Sequence, residues 1–232
     1  MVEVRPDRLR QVLDEGLVAI VAGFQGVSRA REVTTLGRGG SDTTAVALTA
    51  ALGAAWCEIC SDVDGVWSAD PRTVPTAAQR ASMSLDEALA LARGGAKVLY
   101  EDAVRHARDQ GIEVRASSTF GPGAGTRLLT SVVPRQGATA VTGDGQLVRV
   151  EATGVDLAAL GAAGLRLRRR VGDVLFLDTR NAHGEAPDGV VAAPAAMVSA
   201  VGSGLGEQPV LAARGRQALA DAGVTVGLHG SE

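Results

Sequence analysis

Aromatic side chains are scarce in this sequence: three Phe, two Trp and one Tyr make up 3% of 232 residues. Rings cannot build the interior, so Ala, Val and Leu must carry it, and a hydrophobic share of 46% is enough for a proper core. An excess of positive charge is also missing. Lys and Arg number 23 against 26 Asp and Glu, leaving a net charge of −3 and a pI near 5.7. That balance gives no basic footprint for nucleic acid. No apolar run reaches membrane-spanning length, and Met1-Val2-Glu3-Val4-Arg5 does not read as a signal peptide, so the expectation is a soluble cytoplasmic protein. Cysteine is limited to Cys57 and Cys60, a C-x-x-C with no second pair. With His106, His183 and His229 scattered, the spacing of a zinc site is absent. On a strand, an offset of three places the two thiols on opposite faces, and both are expected to be core residues. The length admits one large domain or two small ones.

What is present in quantity is glycine, 30 residues, and its placement organises the chain. Val33 to Thr44 reads V-T-T-L-G-R-G-G-S-D-T-T and leads into Ala45-Val46-Ala47-Leu48. Gly37, Gly39 and Gly40 permit backbone conformations and close approaches that side chains block. Ser41, Asp42 or Thr43 can cap a helix whose first N–H groups then face an anion. Arg38 adds a planar, permanently charged fork suited to carboxylate or phosphate. On spacing alone, an anion site and a purely structural turn both remain open.

The flanking pattern alternates strands and helices. Arg5 to Glu15 predicts a helix with Leu9, Val12 and Leu13 as its apolar stripe, ended by Gly16. Leu17 to Ala22 reads as a buried parallel strand, and Ser28 to Val33 as a loop or hairpin. Ser41 or Asp42 is expected to cap a largely buried helix to about Leu52. Trp56 to Ser61 reads as a strand, followed by the turn Ser61-Asp62-Val63-Asp64-Gly65-Val66 beyond its carboxyl end, where open α/β sheets bind ligands. Asp70-Pro71-Arg72 is a turn by composition. Ser84 with Glu87 forms a capping box for a helix to about Ala92. Tyr100 to Gln110 predicts a further helix, Ile112 to Ala116 a strand, and Gly121 to Gly125 a loose loop. Gly137 to Gly145 reads as a linker. Beyond it come strand Leu147–Val150, helix Leu157–Leu165, strand Val174–Leu177, strand Met197–Val201, helix Gln208–Ala222 and strand Val224–Leu228. Arg166 to Arg170 reads as a solvated edge.

The wording of these turns carries more than their spacing. T-T-L-G-R-G-G-S-D-T-T-A resembles the substrate-binding signature of aspartate kinases, in the amino acid kinase superfamily. Asp14-Glu15-Gly16 and Ile20 to Gly26 continue the resemblance upstream. Cys57 to Arg72 and Gly95-Ala96-Lys97-Val98-Leu99 continue it downstream, over about half the chain. The resemblance implies a parallel-rich α/β sheet with helices on both faces over residues 1–132, a linker at 133–145 and an α+β, ACT-like regulatory region at 146–232. It implies phosphoryl transfer from ATP, carrying Mg²⁺ on its phosphates, to the side-chain carboxylate of L-aspartate, a step in making aspartate-derived amino acids such as lysine. By the same resemblance, Thr35, Arg38, Gly39, Gly40, Ser41 and Asp42 bind substrate, with Arg38 clamping the carboxylate. Asp42 either binds the substrate ammonium or organises catalytic lysines, with helix capping as its alternative. Ser61, Asp62, Val66, Trp67, Asp70, Pro71 and Arg72 stand on the nucleotide side, Trp67 where the family commonly has tyrosine. Lys97 is implied as the catalytic contact to the transferring phosphate. No dedicated protein metal site is implied.

The chain also departs from the family. It contains no Lys-Tyr/Phe-Gly-Gly-Thr-Ser segment, Met1 falls well inside the family's kinase domain, and Tyr100-Glu101 replaces the usual His-Pro. The loss of a phosphate-binding lysine is typically worth several kcal/mol of transition-state stabilisation. Three readings follow: an aspartate kinase by descent, as one piece of a split enzyme or of a longer chain; a non-catalytic regulatory or assembly subunit that binds nucleotide or an amino acid; and another enzyme of the superfamily, such as a glutamate 5-kinase or acetylglutamate kinase relative, against which the T-T-L-G-R-G-G-S-D wording argues. In each case the expected partners are small-molecule ligands, further copies met through the ACT-like region, or a separate chain supplying the absent half. No nucleic acid and no membrane are expected.

Overall fold

The computed structural model describes residues 4–121, 123–132, 137–183, 190–205, 209–224 and 226. It divides into two compact units, Met1–Pro134 and Arg135–Glu232.

In the first unit, α1 (Asp7–Asp14) starts after Pro6, and Gly16 follows it at φ 75°. None of its side chains is buried, although Arg10 Nη2 donates to the Ala51 carbonyl at 2.7 Å. Leu17 to Ala22 does not form the expected buried strand. It joins no sheet among the described residues, and Ile20 is 97% exposed. A run apolar on both faces is stable as a strand only between two neighbours, and none flanks it here. Gln25–Val27 (β1) and Val33–Thr35 (β2) pair as an antiparallel hairpin, as the loop-or-hairpin reading allowed. Helix α2 (Gly40–Leu52) follows, closed by Gly53 in the left-handed conformation.

A short reversal leads from Gly53 to β3 (Trp56–Ser61). Then come β4 (Ser82–Ser84), α3 (Leu85–Arg93), α4 (Glu101–Gln110), β5 (Glu113–Ser118) and β6 (Thr126–Leu129). The sheet order is β3-β5-β6-β4, parallel at β3–β5 and β4–β6 and antiparallel at β5–β6. Its inner face presents Cys57, Val114, Ala116, Met83 and Leu128, all buried, and Val46 and Ala47 of α2, Leu89 of α3 and Val104 of α4 are buried in the same unit. Ser84 caps α3: its hydroxyl accepts from the Glu87 amide at 3.0 Å, and Glu87 Oε2 accepts from the Ser84 amide at 3.1 Å. The outer face carries Trp56, Glu58 and Cys60, all exposed. The expectation that both cysteines are core residues therefore holds for Cys57 alone; alternation along an edge strand turns Cys60 outward. On that face Arg115 stacks over Trp56, 4.0 Å from the ring centre, and Glu113 takes hydrogen bonds from Arg115 and Arg127.

The second unit is a four-stranded antiparallel sheet of order β10-β7-β9-β8. Its strands are β7 (Ala140–Glu151), β8 (Arg166–Val171), β9 (Val174–Asp178) and β10 (Ala192–Val201), with α5 (Leu157–Ala162) and α6 (Pro209–Asp221) as its helices. The linker expected over 137–145 is instead largely strand. Ala140 to Asp144 pairs with Met197 to Val201, and an antiparallel ladder built from backbone groups accepts the small residues there. Residues 133–136 of that linker, Gln208 and most of the last expected strand lie outside the described residues. Val150, Leu160, Leu175 and Leu177 form the core. Beside it, Arg180 donates to Asp144, Asp178 and Gln146. Arg166 to Arg170 lies on β8 at the sheet edge.

Candidate functional site

Two turns of the first unit carry most of the singled-out residues. Helix α2 and strand β3 are joined by a short reversal and pack together, so they run in opposite directions. The first turn of α2 and the end of β3 consequently lie at the same end of this layer pair.

The turn before α2 depends on backbone shape. Gly37 and Gly39 sit at φ 75° and 72°, and Gly39 is the N-cap. The Gly40 amide donates to the Gly37 carbonyl at 3.0 Å, and the Thr43 amide and hydroxyl both reach the Gly39 carbonyl at 3.0 Å. No side chain caps α2, contrary to the expectation for Ser41 or Asp42. The left-handed Gly39 makes the turn by itself, and the Asp42 carboxylate is engaged elsewhere. It accepts from the Ser41 side chain and from the backbone amide of Tyr100, the N-cap of α4. Burial raises the Asp42 pKa above the ordinary carboxylate value, and those two hydrogen bonds pull it part of the way back. Burial also raises the Cys57 thiol, a hydrogen bond with Thr49 opposes that, and the nearby charge of Asp42 adds to the rise.

This turn is tightly packed. A Cβ on Gly39 would fall 2.0 Å from Tyr100 Cγ, and one on Gly40 would lie 2.9 Å from Leu36 Cβ. Phe24, at φ 71°, also presses on Gly40, and Gly23 lies against Ser41. Only Gly37, among the three glycines, faces open space. Thr35 ends β2 and pairs with Gln25. The side chains of Arg38 and Lys97 are exposed and make no hydrogen bond or ion pair with another described residue. Lys97 follows Gly94 and Gly95 in the connection between α3 and α4.

The turn after β3 is fixed from within. The Ser61 hydroxyl accepts from the Val63 amide at 3.1 Å, and the Ser61 carbonyl accepts from the Thr119 amide at 2.8 Å. Asp62 is exposed. The Asp64 carbonyl takes the Trp67 indole N–H at 3.2 Å and the Gln79 amide at 2.6 Å. Asp64 Oδ1 is buried without a partner among the described residues. The strand-like run Val66 to Ser68 is held to Ala78–Arg80 by bonds of 2.8 Å at each end. Thr126, 1% exposed, accepts from the Val66 amide at 2.7 Å and donates to the Arg80 carbonyl at 2.5 Å. Val66 is buried with its amide and carbonyl both engaged, which makes it framework rather than surface. The loop between these runs presents Asp70, Pro71 and Arg72 to solvent. Asp70 Oδ1 accepts from the Arg72 amide at 2.9 Å, fixing the turn and leaving the Arg72 guanidinium outward.

Sequence reasoning missed the parts played by Tyr100, Thr126 and Gln79, which depend on contacts with residues well separated in the chain. The outward-facing Trp56, Glu58 and Arg115 carried no signal either. Among the described residues no group of three His, Cys, Asp or Glu could hold a metal ion, and no helix is long and apolar enough to cross a membrane.

The profile of the amino acid kinase family matches residues 1–116. An aspartokinase of Corynebacterium efficiens is 49% identical over 160 residues, covering 67% of this chain and 38% of its relative. The aspartokinase of Corynebacterium glutamicum is 53% identical over 133 residues, covering 57% and 32%. Among solved structures, Escherichia coli aspartokinase III in complex with aspartate and ADP superposes with a TM-score of 0.71 at 27% identity, covering 86% of this chain and 52% of that one. The chain thus spans well under half the length of these curated relatives.

Proposed function

This chain belongs to the amino acid kinase family, and from that premise we propose that it provides the nucleotide side and one arm of the aspartate site of an aspartate kinase. The observation that carries the reading is the convergence of two turns, one before α2 with Arg38 and one after β3 with Asp62 and Arg72, at one end of a helix–strand layer. The uncapped first turn of α2 offers N–H groups and a positive dipole end to an anion. Arg38 is free to clamp the α-carboxylate of L-aspartate. Asp42, tied to Tyr100, positions the turn. Arg72 and Lys97 are free cations for nucleotide phosphates, and Trp67 lies beside the turn that would receive the base.

The reaction is attack of an aspartate side-chain carboxylate oxygen on the γ-phosphorus of ATP. The bond from that phosphorus to the β–γ bridging oxygen breaks, giving 4-phospho-L-aspartate and ADP. Positioning and charge neutralisation do most of this work. Mg²⁺ would arrive on the ATP phosphates and supply charge neutralisation there. The second unit, an antiparallel sheet with two helices, supports an ACT-like regulatory module that pairs with further copies.

A second reading, a subunit that binds nucleotide or an amino acid without turning over, is favoured by the edge of β3 left unpaired among the described residues and by the exposed run 17–22. Calorimetric titration with Mg-ATP and then L-aspartate, beside a hydroxamate assay for acyl phosphate, tests both. Binding of Mg-ATP that weakens about tenfold in Lys97→Ala is the expected result, a single charge contact to phosphate being worth about 1.4 kcal/mol. Turnover by the purified chain selects the autonomous enzyme, and binding without turnover selects the subunit or split enzyme. Failure to bind either ligand overturns the aspartate-kinase reading.

A further inference from the structure

Among the few aromatic side chains of this sequence, Phe120 stands apart. Its ring is 89% exposed, against 43% for Phe24 and 40% for Trp56, and the remaining three rings are covered further. An uncovered phenyl ring forgoes the free energy that burial supplies. The backbone that carries it is nevertheless fixed. Ser61 and Ser118 are register partners at the carboxyl ends of the parallel strands β3 and β5. The Thr119 amide donates to the Ser61 carbonyl at 2.8 Å, and the Phe120 amide donates to the Ser118 hydroxyl at 3.2 Å. Phe120 is therefore held just past the end of β5, beside the turn that begins at Ser61 and Asp62.

The chain beyond Phe120 returns to that same turn. Gly123 lies against the Asp64 carboxylate and leaves no room there for a Cβ. A Cβ on Gly65 would likewise fall 2.5 Å from the Thr126 hydroxyl and 2.9 Å from the Gly125 carbonyl carbon. The segments after β3 and after β5 thus meet at three places, Ser61 with Thr119, Asp64 with Gly123, and Gly65 with Thr126. The exposed ring stands between the first and the second. Ligands of open α/β sheets bind outside the carboxyl ends of the strands, which is where it projects. Trp67, the other ring at this turn, is half-buried with its indole N–H committed to the Asp64 carbonyl, so it braces the turn. Resting on the aspartate-kinase reading above, we propose that residues 119–121 form a second wall of the nucleotide site and that Phe120 stacks on the base. Stacking accounts for the exposure, because the ring is covered only when a nucleotide is present. It needs no hydrogen bond, since every base offers a π-face.

The test titrates the 232-residue chain with two probes by calorimetry. Mg-ATP carries a base, and Mg-tripolyphosphate carries phosphates alone. Phe120→Ala is expected to weaken Mg-ATP about tenfold, in the range of one base–aromatic stack, and to leave Mg-tripolyphosphate within about twofold. Phe120→Tyr keeps the ring and is expected to keep the Mg-ATP affinity. The side chain lies in solvent, so neither variant is expected to move the unfolding midpoint. Three results overturn the stacking role: Mg-ATP affinity unchanged in Phe120→Ala, an equal loss for both probes, or a lowered midpoint that makes the ring part of the fold. The nucleotide reading survives the first of these, because the unaltered chain and the variant both bind Mg-ATP. Absence of Mg-ATP binding by the unaltered chain overturns that reading and the stacking role with it.

Discussion

Gly39 has two reasons to lack a side chain. Its left-handed φ disfavours any Cβ, and the space a Cβ would take is filled by the Tyr100 ring. Gly39→Ala is expected to destabilise the first unit by about 3 kcal/mol, read as a lower denaturant midpoint. Trimming Tyr100 in the same chain should restore only the steric share. Thr126→Val keeps the shape and removes a hydroxyl that serves the Val66 amide and the Arg80 carbonyl. The expected cost is about 2 kcal/mol, since both groups stay buried without a partner. Arg38, Asp42 and Lys97 were legible in the sequence because they sit inside a recognisable run of words. Tyr100 and Thr126 were not, because each acts on a turn some 60 residues away in the chain, as the contacts with Gly39 and Val66 show. Asp42 was half legible. Its position on α2 was clear, but its hydrogen bond to the Tyr100 amide belongs to a packing of two helix starts that spacing does not encode.

Helix α3 is the element whose local chemistry is simplest to isolate. Ser84→Ala removes one half of the capping box and is expected to cost about 1 kcal/mol, without moving Mg-ATP affinity. The β5–β6 pair should be sensitive to acid. Hydrogen bonds from Arg127 and then Arg115 hold Glu113 down at about 2, against an ordinary value of 4.5. A carboxylate depressed on folding stabilises fully above its unfolded pKa, and that contribution drains away as the pH falls from 4.5 towards 2. In Glu113→Gln, unfolding midpoints measured across that window should lose about 1 kcal/mol of their pH dependence, the arginines being partly solvated. Helices were the readable elements, since glycines and a capping box mark their ends. β4 and β6 escaped notice because three or four residues cannot display an alternation. The run 17–22 misled for the opposite reason: its composition is that of a central strand, and composition does not report whether neighbours exist. Gly143 and Gly145 read as linker, although a ladder of backbone bonds is indifferent to missing side chains.

For the molecule as a whole, the division at Pro134 and Arg135 implies two folding units with separate cores. Thr126→Val should therefore lower the stability of Met1–Pro134 and leave the exchange protection of β7, β9 and β10 unchanged. Hydrogen exchange resolved by peptide checks this, and a uniform loss of protection would mean that the two units unfold together. The placement of the two tryptophans adds an optical consequence. Trp56 lies under the Arg115 guanidinium on the outer sheet face, and Trp67 donates its indole N–H to Asp64 at the turn after β3. The chain has no others. Its intrinsic fluorescence is therefore blind to the second unit, and replacing either ring with phenylalanine leaves a single emitter. The chain with Trp56 alone then reports by colour whether the ring still lies beneath Arg115. The chain with Trp67 alone reports whether the loop beside it has closed on a ligand.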